Sequence, residues 1–343
     1  MNYPKITLVT PSFNQGKFLE KTITSVLEQN YPELEYIVID GGSTDNSADI
    51  IRKFEKHLTY WASEKDNGQP DAINKGLQRA TGQIFNWLNS DDFLEPDALK
   101  FVAEKFSENS ETNIVCGNYR MFEDNGSFEE ISTGTRVQKS YVKTLAFNGI
   151  HQPCTFFKMA VIREFGGINP KLHFCLDYEI WFKYLLKYQK NGIVPLEKTL
   201  CSMRLHPHSK TSMHMENLFK SKSSLFKIEK NSIFKSVALH FKLNDFIEVL
   251  NLLSDTFVEG YDFKFDFKNS AIDEKTARGF FSYYILRHAE LAYEDGNFKF
   301  VNSVLKPINP ELLDEESAKT FQNLSAKSKY PALMKILRKV KRG

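Results

Sequence analysis

The stretch "IFNWLNSDDFLEPDAL" (Ile84 to Leu99) ends an apolar run on two adjacent carboxylates, Asp91 and Asp92. Like charges at the mouth of a core are costly unless something cationic sits between them, so the pair suggests part of a cation site. Other polar residues follow apolar runs nearer the N-terminus. Thr10, Ser12 and Asn14 come at the end of "KITLVTP" and beyond it, and Asp40 closes "LEYIVID". In an open parallel sheet ligands bind beyond the carboxyl ends of the strands, so these residues are expected along one shared crevice. Any one of them alone reads as a turn or a cap; together they read as a site. The loop "GGSTD" is neither G-x-G-x-x-G nor G-x-x-x-x-G-K-[ST], which disfavours a dinucleotide or P-loop site. It is a tight turn into a capped helix, or its glycines, Gly42 included, let a nucleobase or ribose approach Asp40.

The elements that must position these groups alternate along the first hundred residues. "KITLVTP" (Lys5 to Pro11) is a short apolar strand, and "KFLEKTITSVLEQN" puts Phe18, Ile23, Val26 and Leu27 on one helical face. "LEYIVID" is a second buried strand, followed by a helix through Ile50, Ile51 and Phe54. "DAINKGLQRAT" (Asp71 to Thr81) is helical with Gly82 as its stop, and "IFNWL" is a strand again. Strand, helix, strand, helix, strand predicts right-handed crossovers in an α/β fold with a mostly parallel sheet. Farther on, "NIVCGNYRMF" and "HQPCTFFK" (His151 to Lys158) read as strands, and "DYEIWFKYLLKYQ" as an amphipathic helix. Glycine becomes scarce after about Met215, and apolar residues recur at helical spacing. We therefore expect a first domain over 1–220 and a helical C-terminal region over 221–343. Within the latter, "YYILRHAELAYEDGNFKFVNSVLKPI" reads as a helix–turn–helix that turns at Asp295 to Asn297.

Bulk properties bound the partners. The 343 residues carry 45 basic and 43 acidic side chains, so no global field favours nucleic acid. Cys116, Cys154, Cys175 and Cys201 form no C-x-x-C pair, which points to reduced thiols in a cytosolic protein rather than a disulfide scaffold or a zinc site. The N-terminal apolar run is too short for a signal peptide, and no stretch approaches a membrane span. The expected location is cytoplasmic, with attachment to the inner face of the cytoplasmic membrane left open.

The blocks "VTPSFNQGKFLEKTITSVLEQNYPELEYIVIDGGSTDNS", "SEKDNGQPDAINKGLQRATGQIFNWLNSDD" and "HQPCTFFK…GGINPKLHFCLDYEIWFKYL" resemble family 2 glycosyltransferases of the GT-A fold. They occur in the family's order over roughly residues 5–212, and the likeness is nearest to bacterial enzymes of capsule, lipopolysaccharide and exopolysaccharide synthesis. The resemblance implies metal-dependent, inverting transfer of a sugar from a nucleotide sugar, here expected to be UDP-linked, to a saccharide or lipid-linked acceptor. It implies that Thr10, Pro11, Ser12 and Asp40 line the base and ribose pocket. Asp71, Asn74 and Lys75 of "PDAINKG" would lie beside the base and diphosphate. Asp92 of "SDD" would ligate Mg²⁺ or Mn²⁺, and Asp91 would contact ribose or metal. Such hard cations suit carboxylates, with the diphosphate supplying further oxygens as the leaving group develops charge.

"CLDYEIW" resembles the family's E-D-x-D-L-W element with Leu176 in place of its first acid, which makes Asp177 the expected general base and Glu179 an acceptor-side residue. In "MRLHPHSKTS", His206 would complete the metal shell or touch the diphosphate, with Arg204 and Lys210 balancing phosphate charge and His208 facing solvent. His151 and Gln152 look like acceptor-side residues, and Trp87 either walls the sugar or sits in the core. The tail "AKSKYPALMKILRKVKRG" carries seven Lys or Arg and no acid. It is a solvated helix or an interfacial one that reaches anionic lipid, and helical faces in the C-terminal region could form a homo-oligomer. Two other functions compete: a sugar-nucleotide nucleotidyltransferase, whose Gly-rich basic N-terminal loop "TPSFNQGKF" lacks, and a non-catalytic glycan-binding scaffold.

Overall fold

The computed structural model describes residues 3–126, 129–134, 137–147, 149, 151–207, 209–210 and 224–330. The expectations for His208 and for most of the basic tail, with Leu333, Ile336, Leu337 and Val340, lie outside these residues. The chain forms two compact units: Met1–Arg136 with Gly149–Lys220, and Val137–Asn148 with Ser221–Gly343.

Among its described residues the first unit holds nine strands: β1 (Ile6–Ser12), β2 (Leu34–Asp40), β3 (Tyr60–Ser63), β4 (Ile84–Trp87), β5 (Phe93–Leu94), β6 (Ile114–Phe122), β7 (Glu129–Thr133), β8 (Thr155–Lys158) and β9 (Ile193–Arg204). They form one sheet in the order β3-β2-β1-β4-β8-β6-β9-β5, with β7 beside β6. Helices α1 (Gly16–Leu27), α2 (Ser47–Phe54), α3 (Gln69–Arg79), α4 (Ala98–Glu108), α6 (Met159–Glu164) and α7 (Leu176–Tyr188) flank it, whereas α5 (Tyr141–Ala146) belongs with the second unit.

The β3-β2-β1-β4 half is parallel throughout, as the strand–helix alternation predicts. Beyond β4 the sheet is mixed. β8 runs antiparallel to both β4 and β6, β7 returns from β6 antiparallel, and β6 and β9 are parallel. The expected strand over "HQPCTFFK" is shorter than its sequence, because Gln152–Cys154 form a 3₁₀ turn and only Thr155–Lys158 pair. Pro153 has no N–H to give to a ladder.

All seven residues of β1 are buried. Its side chains Ile6 and Leu8 join Leu19, Ile23 and Val26 of α1, Tyr36 and Val38 of β2, and Ile50 and Ile51 of α2 in one core. Gly76 lets α3 lie close on β1, since a Cβ there would come within 2.6 Å of Val9 Cγ1. Register fixes the site edge. Ser12 pairs with Asp40, and Val9 pairs with Trp87, so the loop after β4 leaves the sheet beside the ends of β1 and β2.

A buried carboxylate ties the opposite edge. Glu35, 3% exposed, accepts from Thr7 Oγ1 at 2.5 Å, Thr81 N at 2.7 Å and Thr81 Oγ1 at 2.6 Å, with Lys5 Nζ at 3.5 Å. Burial favours its neutral form, but the threonine donors and Lys5 together hold the acid below its usual carboxylate range.

The second unit is helical: α5, α8 (Leu225–His240), α9 (Asn244–Leu253), α10 (Glu274–Glu294), α11 (Phe298–Val304) and α12 (Glu315–Ser328). Phe234, Phe246, Phe280 and Phe281 are fully buried at its centre. The expected turn at Asp295 to Asn297 separates α10 from α11, and Asn297 caps the latter by accepting from Phe300 N.

Candidate active site

A cavity of about 590 Å³ opens beyond the carboxyl ends of β1, β2 and β4. Its walls include Pro11 and Ser12 at the end of β1, Phe13 beyond it, Gly41 after β2, and Lys65, Asp66 and Gln69 around the start of α3. Asn89, Ser90, Asp91 and Asp92 after β4, His173 before α7, Arg204 at the end of β9, and Ser209 and Lys210 beyond it also line the cavity. A crevice lies at these strand ends, lined by Ser12, Asp91 and Asp92 but not by Thr10, Asn14 or Asp40. Ser12 is 4% exposed, and its Oγ has no hydrogen-bond partner among the described residues. A buried unsatisfied hydroxyl on a cavity wall is costly, and a ligand's polar atom would satisfy it.

Asp91 and Asp92 stand in different surroundings. Asp92 is 4% exposed and accepts from Arg204 N at 3.1 Å through Oδ1 and from Asn89 Nδ2 at 3.2 Å through Oδ2. Burial first, then the neighbouring Asp91 charge, pushes its carboxyl well above the usual range against those two donors and the Arg204 charge. Asp91 is more open, and its Oδ2 lies 3.0 Å from His206 Nε2. The His206 ring packs on Phe18 with centroids 4.8 Å apart, and the Arg204 guanidinium lies over Phe18 and Phe122 at 4.7 and 4.9 Å. Arg204 also donates from Nε to Asp91 O at 3.2 Å and pairs with Asp124. Burial lowers the Arg204 pKa, while Asp91 and Asp92 oppose that shift.

Among the described residues no group of three His, Cys, Asp or Glu side chains is arranged to hold a metal ion by itself. The donor set still fits a hard divalent cation. Asp91 lines the cavity with His206 Nε2 3.0 Å from its Oδ2, and a cation beside Asp91 would relieve the like-charge strain on Asp92. The diphosphate of a nucleotide would have to supply the remaining oxygens.

The other expected site residues divide. Pro11, Ser12, Asp91, Asp92, Arg204 and Lys210 line the cavity, and His206 touches it through Asp91. Thr10 is fully buried with its Oγ1 3.0 Å from the Tyr36 hydroxyl. Asp40 is also fully buried, accepting from Ser43 N, Ser43 Oγ and Ser63 Oγ, and it stabilises the turn through Gly42 (φ 79°) rather than lining the cavity. Asn14 staples the β1 loop to Thr44 at 2.8 Å. Asp71 accepts from Asn67 N, Lys75 pairs with Glu64 at 2.9 Å, and Asn74 bonds both N and O of Ile168. These three therefore hold loops around α3, and none is part of the wall.

Asp177 is half-buried in the first turn of α7, four residues beyond the wall residue His173, and accepts from Tyr178 N at 2.8 Å. Glu179 differs from its expected exposure to an acceptor. It is fully buried, accepts from Asn169 Nδ2 at 3.0 Å and lies 3.5 Å from Lys183 Nζ. Gln152, 4% exposed, donates to Asn86 Oδ1 and Trp87 O, and so anchors the end of β4. His151 stacks on Tyr119 with centroids 4.1 Å apart. Trp87, 1% exposed, is a core residue.

Sequence reasoning did not single out Phe13, Asp66, Gln69, Asn89 or His173 as site residues. Phe13 is an exposed aromatic on the wall, at 58%. Asp66 packs over Gly41, where a Cβ would come within 2.7 Å of its Oδ2, and burial raises its carboxyl pKa. The signal for Asp66 and Gln69 was the polar run "SEKDNGQP" between β3 and α3, which reads as an ordinary loop until β3 is placed beside β2.

A Rossmann-like parallel half joined to a mixed half, with an acid pair at the end of β4 facing a cavity, defines a glycosyltransferase domain of the GT-A type. Residues 7–166, a little under half of the chain, match the family model described as Glycosyl transferase family 2. The poly-β-1,6-N-acetyl-D-glucosamine synthase of Staphylococcus epidermidis is 28% identical over 52% of this chain and 48% of its own length. TuaG of Bacillus subtilis, named for teichuronic acid biosynthesis, is 38% identical over 35% of this chain and 49% of its own. The chain thus spans about half the length of each of these two curated relatives. Among solved structures, S. aureus TarS 1–349 in complex with UDP-GlcNAc shares the fold, with a TM-score of 0.60 and 16% identity over 98% of this chain and 92% of that one.

Proposed function

We propose that this glycosyltransferase moves a sugar from a UDP-linked donor to a saccharide or lipid-linked saccharide during synthesis of a bacterial surface polysaccharide. The observation that carries the reading is the meeting, in one cavity, of an acid pair, two phosphate-seeking cations and a buried unsatisfied hydroxyl. The UDP-GlcNAc complex of TarS and the polysaccharide names of the two relatives support it.

In this reading Phe13 offers its exposed ring to the base, and Ser12 and Asp66 meet the nucleoside. Arg204 and Lys210 take the diphosphate through charge-assisted hydrogen bonds. Asp91 and His206 would hold Mg²⁺ or Mn²⁺ with Asp92 beside them, and the cation would supply charge neutralisation for the departing diphosphate. Asp177 is the proposed base that takes the proton of the acceptor hydroxyl. One in-line displacement then inverts the anomeric configuration.

Thermal-shift titration with UDP-, GDP- and dTDP-sugars, with and without Mn²⁺, tests the donor. A UDP-sugar is expected to raise Tm, and Mn²⁺ to enlarge the rise; no response to any nucleotide sinks the proposal. Asp177→Asn is expected to keep nucleotide binding within about 2-fold while transfer falls by about 10²-fold or more. An active variant removes Asp177 as the base.

A further inference from the structure

Four polar side chains on the cavity wall form a single file. Lys210 Nζ donates to Gln69 Oε1 at 2.5 Å, Gln69 Nε2 donates to Asn89 Oδ1 at 2.8 Å, and Asn89 Nδ2 donates to Asp92 Oδ2 at 3.2 Å. The direction of the file is forced from its cationic end. An ammonium only donates, so Gln69 must turn its oxygen to Lys210 and its nitrogen to Asn89. Asn89 must then accept from Gln69, which leaves its own nitrogen for Asp92. Turning either amide over would set donor against donor or acceptor against acceptor.

Lys210 donates to two neutral oxygens, Gln69 Oε1 and the His173 carbonyl at 2.8 Å. A phosphate oxygen is a stronger partner for an ammonium than either. We propose that Gln69 and Asn89 are positioning residues that couple Lys210 to Asp92. An anion that draws the ammonium away releases Gln69, and of the two side-chain bonds that hold the Asn89 amide only the one to the Asp92 carboxylate is left. Arrival of the anion at one end of the cavity is thereby felt at the acid pair, although Lys210 and Asp92 share no direct bond. The inference rests on the nucleotide-sugar reading, because the anion it invokes is the donor's diphosphate.

A double-mutant cycle measures the coupling, with UDP as the probe and calorimetric titration in the presence of Mn²⁺ as the readout. The effects of Lys210→Met and Asn89→Ala on UDP affinity are expected to depart from multiplicative behaviour by about 3-fold or more when Gln69 is present. In a Gln69→Met background they are expected to multiply within about 2-fold. Gln69→Glu keeps the size of the side chain and an acceptor for Lys210 but offers Asn89 no donor. It is expected to behave as Gln69→Met does, whereas a packing role predicts wild-type coupling. Asn89→Ser replaces Asn89→Ala in the cycle if the latter folds poorly. Multiplicative effects in the wild-type background, or coupling that survives Gln69→Met, overturn the relay while leaving UDP binding intact. A wild-type protein that binds no UDP overturns the nucleotide reading, and the relay with it, and is seen in the first titration.

Discussion

Asp91 and Asp92 are adjacent in sequence and differ in what they can do. Asp92 is enclosed, with one oxygen on Arg204 N and the other on the Asn89 amide, while Asp91 presents its carboxylate to His206 and the cavity. The sequence expectation gave the metal first to Asp92; we propose Asp91 instead, because both Asp92 oxygens already accept hydrogen bonds. Asp92→Ala is therefore expected to lose transfer and also about 1–3 kcal/mol of stability, because the buried Arg204 N and the half-buried Asn89 amide lose their acceptor. Asp91→Ala is expected to lose the Mn²⁺-dependent part of nucleotide binding at near wild-type stability. Chemical denaturation and titration of both variants separate the roles, and equal destabilisation would remove the distinction. The acid pair was legible in sequence because two charges after an apolar run have few cheap explanations. Asp66 and Gln69 were not, because a polar residue in a loop is unremarkable until a sheet places it beside another strand end.

At the scale of elements, β1, β2 and β4 of the parallel half could be read from apolar runs separated by helical spacing, and β3, Gly76 and Glu35 show what the reading left out. α3 reaches its position through a glycine pressed on Val9, and the connection from α3 to β4 is pinned by the Glu35 carboxylate. Glu35 is held below its usual range in the fold, so the unfolded chain takes up its proton first as pH falls. Its stabilising contribution is complete above the unfolded value of about 4.3 and is lost as pH drops through the folded value. Glu35→Gln is expected to be less stable at pH 7 by about 1–3 kcal/mol, with the gap closing below about pH 4.5. Melting curves across pH 3–7 check this, and parallel profiles for the two proteins would contradict it. The short strands escaped sequence reading for a physical reason. β5 has two residues and β7 is largely exposed, so neither leaves an apolar alternation to detect.

At the scale of the whole molecule, contacts group residues 137–148 with the C-terminal helices, although the chain passes through them between β7 and β8. Among the described residues no helix is long and apolar enough to cross a membrane. We propose that the basic tail, residues 326–343, gives peripheral contact with anionic lipid. Co-sedimentation with phosphatidylglycerol-containing vesicles is expected to fall on its removal and at high salt, and unchanged binding would dismiss the idea. Sequence alone determined the likeness to family 2 glycosyltransferases, the strands β1, β2 and β4, the acid pair and the helical character of the C-terminal region, because each is written in local periodicity or in a contiguous motif. Tertiary structure alone decided which of those polar residues face the cavity. It turned Asp40 and Glu179 into buried fastenings and Asn74 into a half-buried one, and brought Phe13, Asp66, Gln69 and Lys210 onto one wall. Residue type fixes what a side chain can donate or accept, but register and burial decide what it meets.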